Sequence, residues 1–199
     1  MKILLADDHG LFRDSMATWL QQYPVPLTIQ LASDWTSLTA QLAPDLSLIM
    51  LDLAMPGMSG AASISRLTKR LANVPILIVS ANDDPNTIKA CLHFGASGYL
   101  TKASDGCEII KALSTVLKGD TYQPSIMTKQ NYPLSNQSFS DKQLELLAHL
   151  AEGLSNKDIA SQMNLAEGTV KQYVSRLLTL LDVDNRTQAG NKAKTLLGF

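Results

Sequence analysis

The chain has 199 residues, 45% hydrophobic and 18% charged, with a formal net charge of −1. That length holds one large domain or two small ones, and the near-neutral charge excludes a protein that announces nucleic-acid binding by basicity alone. No run of about 18 apolar residues offers a membrane span, and the apolar run in "MKILLADDHG" is too short for a signal peptide. Cys91 and Cys107, the two cysteines, lack metal-ligand spacing and read as reduced thiols. A cytoplasmic protein is expected.

Residues 1–120 alternate short apolar runs with helical patterns. Strands are expected at "KILLA" (2–6), "LTIQLA" (27–32), "LSLIML" (46–51), "PILIVSA" (75–81) and "GYLTK" (98–102). The segments between them repeat apolar residues at three- and four-residue steps, as Ile109, Ile110, Leu113, Val116 and Leu117 show. The third and fourth strands are nearly all apolar, as strands covered on both faces are. Five such units imply an α/β domain: a five-stranded parallel, doubly wound sheet with right-handed crossovers. Residues 121–138 have no period, two prolines and many polar side chains, which reads as a linker. Residues 139–199 show no strand signal and four helical stretches. The first opens on Ser140 with Gln143 three residues on, a capping-box pattern.

The chemistry lies at the strand ends. Asp7 and Asp8 follow the first strand and Asp52 the third. In open α/β sheets, sites form beyond the carboxyl ends of the strands. If those two strands are neighbours, about 4.8 Å apart, three carboxylates crowd one cleft, and their repulsion calls for a cation. An oxygen-only set of this density suits Mg²⁺. Ser80 ends the fourth strand and Lys102 the fifth. Three carboxylates, one divalent cation and the Lys102 ammonium leave the site neutral, with Ser80 and Lys102 able to hold a phosphoryl group. A carboxylate that takes a phosphoryl group is a known covalent strategy. A lone Asp after a strand is usually a cap or a solvated loop residue. Five such residues ending four strands are hard to read that way.

"ADDH", "LIMLDLAMPGMSG", "VSA" and "GASGYLTK" resemble the receiver domain of bacterial two-component response regulators, over about residues 1–120. The resemblance implies that Asp52 is the phosphoacceptor, that Asp7 and Asp8 hold Mg²⁺, and that the Ala54 carbonyl is a further ligand. It makes Ser80 and Lys102 the phosphoryl contacts and Tyr99 the switch aromatic, its partner a histidine kinase. Ala54 and Asn82 flank the point of water attack. His9 stands beside the site; His93 and His149 stand singly in helical stretches.

"LAEGLSNKDIASQMNLAEGTVKQYVSRLLTLLDVDNRTQA" resembles the helix-turn-helix domain of the NarL/LuxR class. In that class the helix near 167–182 enters the major groove and the preceding one braces it. Val170, Val174, Leu177 and Leu181 form its buried stripe. Thr169, Lys171, Gln172, Ser175 and Arg176 are the DNA-contact candidates: Gln172 as a base reader, Lys171 and Arg176 on phosphates. A solvated helix face is the plainer account of these polar residues. From Ser138 to Phe199 seven Lys/Arg face seven Asp/Glu, a weak field for DNA. Most relatives carry His at Tyr173 and a basic residue at or next to Leu180. Here that row packs within its own domain, against the receiver, or against a second copy. The apolar tail through Leu196, Leu197 and Phe199 is either core or a dimer contact. The expected function is a phosphorylation-controlled, homodimeric regulator binding promoter DNA, not an enzyme. The alternative is a phosphorylated regulator whose C-terminal helices bind a protein.

Overall fold

The computed structural model describes residues 1–124 and 139–197. Strands β1 (Lys2–Ala6), β2 (Thr28–Ala32), β3 (Leu48–Leu51), β4 (Ile76–Ser80) and β5 (Gly98–Thr101) form one parallel sheet in the order β2-β1-β3-β4-β5. Alternation along the strands divides the side chains between two cores. Ile3, Leu5, Leu48, Met50, Leu77 and Val79 meet α1 (Gly10–Leu20) and α5 (Gly106–Leu117). Leu4, Ala6, Ile49, Leu51, Ile76 and Ile78 meet α2 (Trp35–Ala40), α3 (Ala62–Arg70) and α4 (Pro85–His93). The central strands β3 and β4 are buried throughout, as their apolar runs predict. Among the described residues, no helix is long and apolar enough to cross a membrane.

The sheet holds the chain slightly further than its composition suggests. Tyr122, placed in the linker by sequence, is buried and bridges Gly98. Its amide donates to Ser97 O at 3.0 Å, and its carbonyl accepts from Tyr99 N at 3.2 Å. Gly98 leaves room for it: a Cβ there would stand 3.0 Å from Leu77, Val116 and Tyr122. The rest of the expected linker, from 125 to 138, lies outside the described residues.

Helices α6 (Asp141–Ala151), α7 (Asn156–Gln162), α8 (Glu167–Leu180) and α9 (Arg186–Leu197) make the C-terminal domain. The expected cap forms, with Ser140 N donating to Gln143 Oε1 at 2.7 Å. Val170, Val174, Leu177 and Leu181 are the buried stripe. Helix α9 crosses α6 closely: a Cβ on Gly190 would lie 2.9 Å from the Leu150 carbonyl oxygen. In an open helix Gly→Ala gains about 1 kcal/mol. At this crossing, overpacking against main chain costs about 1–3 kcal/mol. Gly190→Ala is therefore expected to lower stability by about 1 kcal/mol, read as a lower urea midpoint with an unchanged slope.

The two domains pack together. Asp141, Leu144, Glu145, Ala148 and Glu152 share one face of α6 by their three- and four-residue spacing. That face meets the N-terminal domain: Asp141 lies 3.7 Å from His93, and Glu152 lies 3.5 Å from Arg66. Lys89 Nζ donates to Phe139 O. Leu144 and Ala148 are buried, so α6 is apolar on the side toward the N-terminal domain as well as toward its own domain, as helices covered on several sides are. His149 lines the cleft between them with Arg66, Lys69 and Phe94. Burial holds its imidazole below the ordinary value, although Glu145 and Glu152 pull the other way. The end of α9 makes the other contact. Leu197 O accepts from Ala61 N at 3.3 Å, and Leu196 O accepts from Thr87 Oγ1 at 2.7 Å. The last carbonyls of a helix have no partner within it. Here they find donors at the starts of α3 and α4, where the helix dipoles favour negative charge.

Candidate functional site

The sheet register builds the site. Ala6 pairs with Leu51, and Ser80 pairs with Thr101. The next residues, Asp7 and Asp52, therefore leave neighbouring strands side by side, while Lys102 leaves β5, beyond β4, and its long side chain reaches across to both. Asp52 N donates to Ala6 O at 2.9 Å and Lys102 N to Ser80 O at 2.8 Å, fixing those exits. Beyond Asp52 the chain turns through Gly57 (φ +83°). A Cβ there would meet Trp35 at 3.0 Å, so both conformation and space favour glycine.

Asp7 and Asp52 are almost fully buried, with side chains 1% and 2% exposed. Lys102 Nζ lies between them, 2.8 Å from Asp7 Oδ2 and 2.9 Å from Asp52 Oδ2. It is also 4.8 Å from the centre of the Phe12 ring. Apart from that close ion pair, Asp7 Oδ2 has no directed hydrogen-bond partner among the described residues. Burial pushes the Asp52 carboxyl above its ordinary value, with Lys102 opposing that shift. Burial alone would lower the Lys102 ammonium, but Asp7 and Asp52 outweigh it and hold it above its usual range. Asp8 sits at the rim, its Oδ1 2.8 Å from His9 Nδ1. His9 N donates to Asp7 Oδ1 at 2.8 Å, and Arg13 donates to Asp7 O at 2.7 Å.

Asp7, Asp8, His9 and Asp52 offer donor atoms that all lie within 4.8 Å of one another. With an under-satisfied buried oxygen among them, the Asp7/Asp8/Asp52 pocket is consistent with a divalent metal site. Ala54 N points back to Asp52 Oδ1 at 3.4 Å, which puts its peptide at the pocket's edge. Ser80 closes the opposite side. Its Oγ accepts from Asn82 N at 3.2 Å. Tyr99 is fully buried, its hydroxyl donating to Asn82 O at 2.6 Å; burial raises that phenol above its ordinary range. Sequence reasoning brought together Asp7, Asp8, Asp52, Ser80, Lys102 and Tyr99. It gave Asn82 only a place beside the water path, and it missed Thr87. The string "NDDP" could have signalled them, since Asn and Asp before a proline favour side-chain-held turns and helix caps.

The second group of candidates lies on α8. Lys171, Gln172, Ser175 and Arg176 are exposed and Thr169 is half-buried. Lys171 pairs with Glu167 at 3.1 Å. Tyr173 and Leu180 pack as partly buried residues against the core. Tyr173 lines a groove of ≈ 220 Å³ with Lys142, Gln143, Leu146, Arg176 and Leu177, all from its own domain. The N-terminal domain instead contacts α6 and the end of α9, so Leu197 is buried rather than displayed. Phe199, named with that tail, lies outside the described residues.

Two families match the chain: the response regulator receiver domain over residues 3–114, and the bacterial regulatory proteins of the luxR family over 137–193. The Glycerol metabolism activator of Pseudomonas putida is 37% identical, the match covering 94% of this chain and 92% of the relative. The nitrate/nitrite response regulator protein NarP of Escherichia coli is 32% identical with the same coverage. A structure of two RcsB dimers bound to two parallel DNAs is 25% identical and aligns over 96% of each chain with a TM-score of 0.63.

Proposed function

The chain belongs to the two-component response regulators of the LuxR family, a receiver domain joined to a DNA-binding helix-turn-helix domain; we propose that phosphorylation of Asp52 frees this helix-turn-helix domain to pair and bind promoter DNA. Members of this family are transcription regulators rather than enzymes, and a receiver implies a kinase partner. The observation that carries the reading is the paired burial of Asp7 and Asp52 around the Lys102 ammonium, at the ends of three strands.

The reaction follows from those groups. An Asp52 carboxylate oxygen attacks phosphorus on a kinase phosphohistidine. The P–O bond forms, the P–N bond breaks, and the imidazole leaves with the bonding pair. Mg²⁺ held by Asp7, Asp8, Asp52 and the Ala54 carbonyl would supply positive charge for the transferring oxygens. Lys102 already touches Asp52 and shifts its ammonium to a phosphoryl oxygen. Ser80 turns its hydroxyl to another, and the Tyr99 ring, already buried with its hydroxyl on Asn82 O, settles into the space it leaves. On the output side, Gln172 reads a base edge in the major groove. Lys171 and Arg176 hold phosphates, and Thr169 and Ser175 complete the contact face. Because the C-terminal domain carries balanced charge, two copies on adjacent half-sites supply what one lacks. The whole cycle takes place in the cytoplasm.

The test is promoter-DNA binding with a phosphoryl donor and Mg²⁺, wild type against Asp52→Ala. The wild type is expected to gain at least about tenfold in affinity, or 1.4 kcal/mol, and Asp52→Ala to gain nothing. Equal binding by both proteins sinks the switch.

A further inference from the structure

One residue outside the phosphorylation machinery has all of its hydrogen-bonding groups engaged. Asn82 N donates to Ser80 Oγ at 3.2 Å, and its carbonyl accepts from the Tyr99 hydroxyl at 2.6 Å. Its Oδ1 accepts from Asp84 N at 2.8 Å, and its Nδ2 donates to Thr87 Oγ1 at 3.2 Å. Thr87 is fully buried, and its hydroxyl in turn donates to Leu196 O at 2.7 Å. An unbroken chain of hydrogen bonds thus runs from the strand end that faces Asp52 to the last turn of α9 in the other domain.

We propose that Asn82 and Thr87 form a relay that ties the end of α9 to the position of Ser80, so that a phosphoryl group drawing Ser80 away releases the Thr87–Leu196 bond. The proposal rests on the phosphorylation reading above and adds the residues that carry it between the domains.

Physically the relay has two discrete states. The Thr87 hydroxyl holds one proton and faces two acceptors, Leu196 O at 2.7 Å and Asp84 Oδ2 at 3.3 Å. Asp84 is a carboxylate, and bonds to an ionised acceptor are the stronger kind. What favours Leu196 is orientation: Asn82 Nδ2 occupies one lone pair of the same oxygen and turns its proton outward. When Ser80 rotates to a phosphoryl oxygen, Asn82 N loses its acceptor. The Asn82 amide then withdraws from Thr87, whose proton turns to Asp84. Leu196 O is left without its partner in a part-buried contact, a loss that favours undocking. The adjoining Ala61–Leu197 bond, at 3.3 Å, yields with it. The relay works by a few hydrogen bonds changing partners, which is how packed proteins turn small shifts into domain movement. Asn82 and Thr87 are positioning residues here, since neither touches the reacting atoms.

Amide hydrogen exchange on the full chain tests this, with and without beryllofluoride and Mg²⁺, following Ala61 and the last turn of α9. Thr87→Val keeps the volume and removes the hydroxyl. It is expected to speed exchange at these amides about tenfold without beryllofluoride, roughly the loss of one buried hydrogen bond, and to blunt the further response to it. Thr87→Ser is expected to restore wild-type behaviour, which separates the hydroxyl's role from general destabilisation. If Thr87→Val keeps both the basal rate and the full response of the wild type, the relay is wrong while the phosphorylation switch stands. A raised basal rate with an unchanged fold-response makes Thr87 a passive clamp and also overturns the relay. If wild type itself does not respond to beryllofluoride, the switch fails and takes the relay with it.

Discussion

Replacing Lys171 and Arg176 together by alanine is expected to weaken promoter-DNA binding by the phosphorylated protein about a hundredfold. It is also expected to flatten the salt dependence, by about 0.9 in log–log slope for each phosphate no longer neutralised. The reason is scarcity. Seven basic residues of the C-terminal domain are balanced by seven acidic ones, and two of the seven are engaged inside the fold. Arg186 donates to Leu154 O and to Asn156 Oδ1, and Lys192 Nζ donates to Leu181 O at 2.7 Å. Lys171 and Arg176 are the basic residues that stand exposed on α8 itself. The Lys171–Glu167 pair does not alter this, because an exposed pair of that kind is worth less than about 1 kcal/mol. Titrations with labelled DNA across ~50 to ~200 mM salt read both quantities. A changed affinity with an unchanged slope would show that the two residues support the fold of α8 rather than meet phosphates. No change in either would return the C-terminal helices to the protein-binding alternative.

Lys102→Met is expected to have the largest effect on stability, and one that depends on metal. In divalent-free buffer at neutral pH it removes the cation shared by two carboxylates that are 1% and 2% exposed. Deleting one partner of a buried ion pair costs about 3–5 kcal/mol. Protonating Asp52 relieves part of that cost, and burial already raises its carboxyl; about 3 kcal/mol is therefore expected. Added Mg²⁺ should return more stability to Lys102→Met than to wild type, because in wild type the ammonium competes for the same oxygens. Urea unfolding with Mg²⁺ and with chelator measures both effects. Equal metal effects in the two proteins would mean that Lys102 and the cation occupy independent places.

Much of this was legible in the sequence for a simple reason. In a parallel sheet, residues that follow the ends of neighbouring strands meet in space, so Asp7, Asp52, Ser80 and Lys102 could be assembled from strand ends alone. The stripe Val170, Val174, Leu177 and Leu181 followed from helical period. The docking of the domains was not legible, because it uses main-chain groups. Leu196 O and Leu197 O would accept whatever the side chains were, and the Ala61 amide carries no signature. Leu144 and Ala148 are buried, but in sequence they are ordinary apolar helix positions that do not say which neighbour covers them. Tyr122 escaped because a single residue bridging beside Gly98 has no periodicity. For Tyr173 and Leu180 the sequence left three partners open; in the closed chain both rest against the core, with the Tyr173 groove formed by its own domain.

The apolar seam under α6 also bears on how quiet the gene stays when no signal is present. Exposing Leu144 and Ala148, together with the carbonyls at the end of α9, is the cost of every spontaneous opening. Each 1.4 kcal/mol of that cost lowers the fraction of molecules open at any instant about tenfold. Under the proposed switch, background transcription is set by burial at the seam, far from both Asp52 and the DNA. Substitutions there would tune the noise floor of the promoter while leaving the fully induced level unchanged.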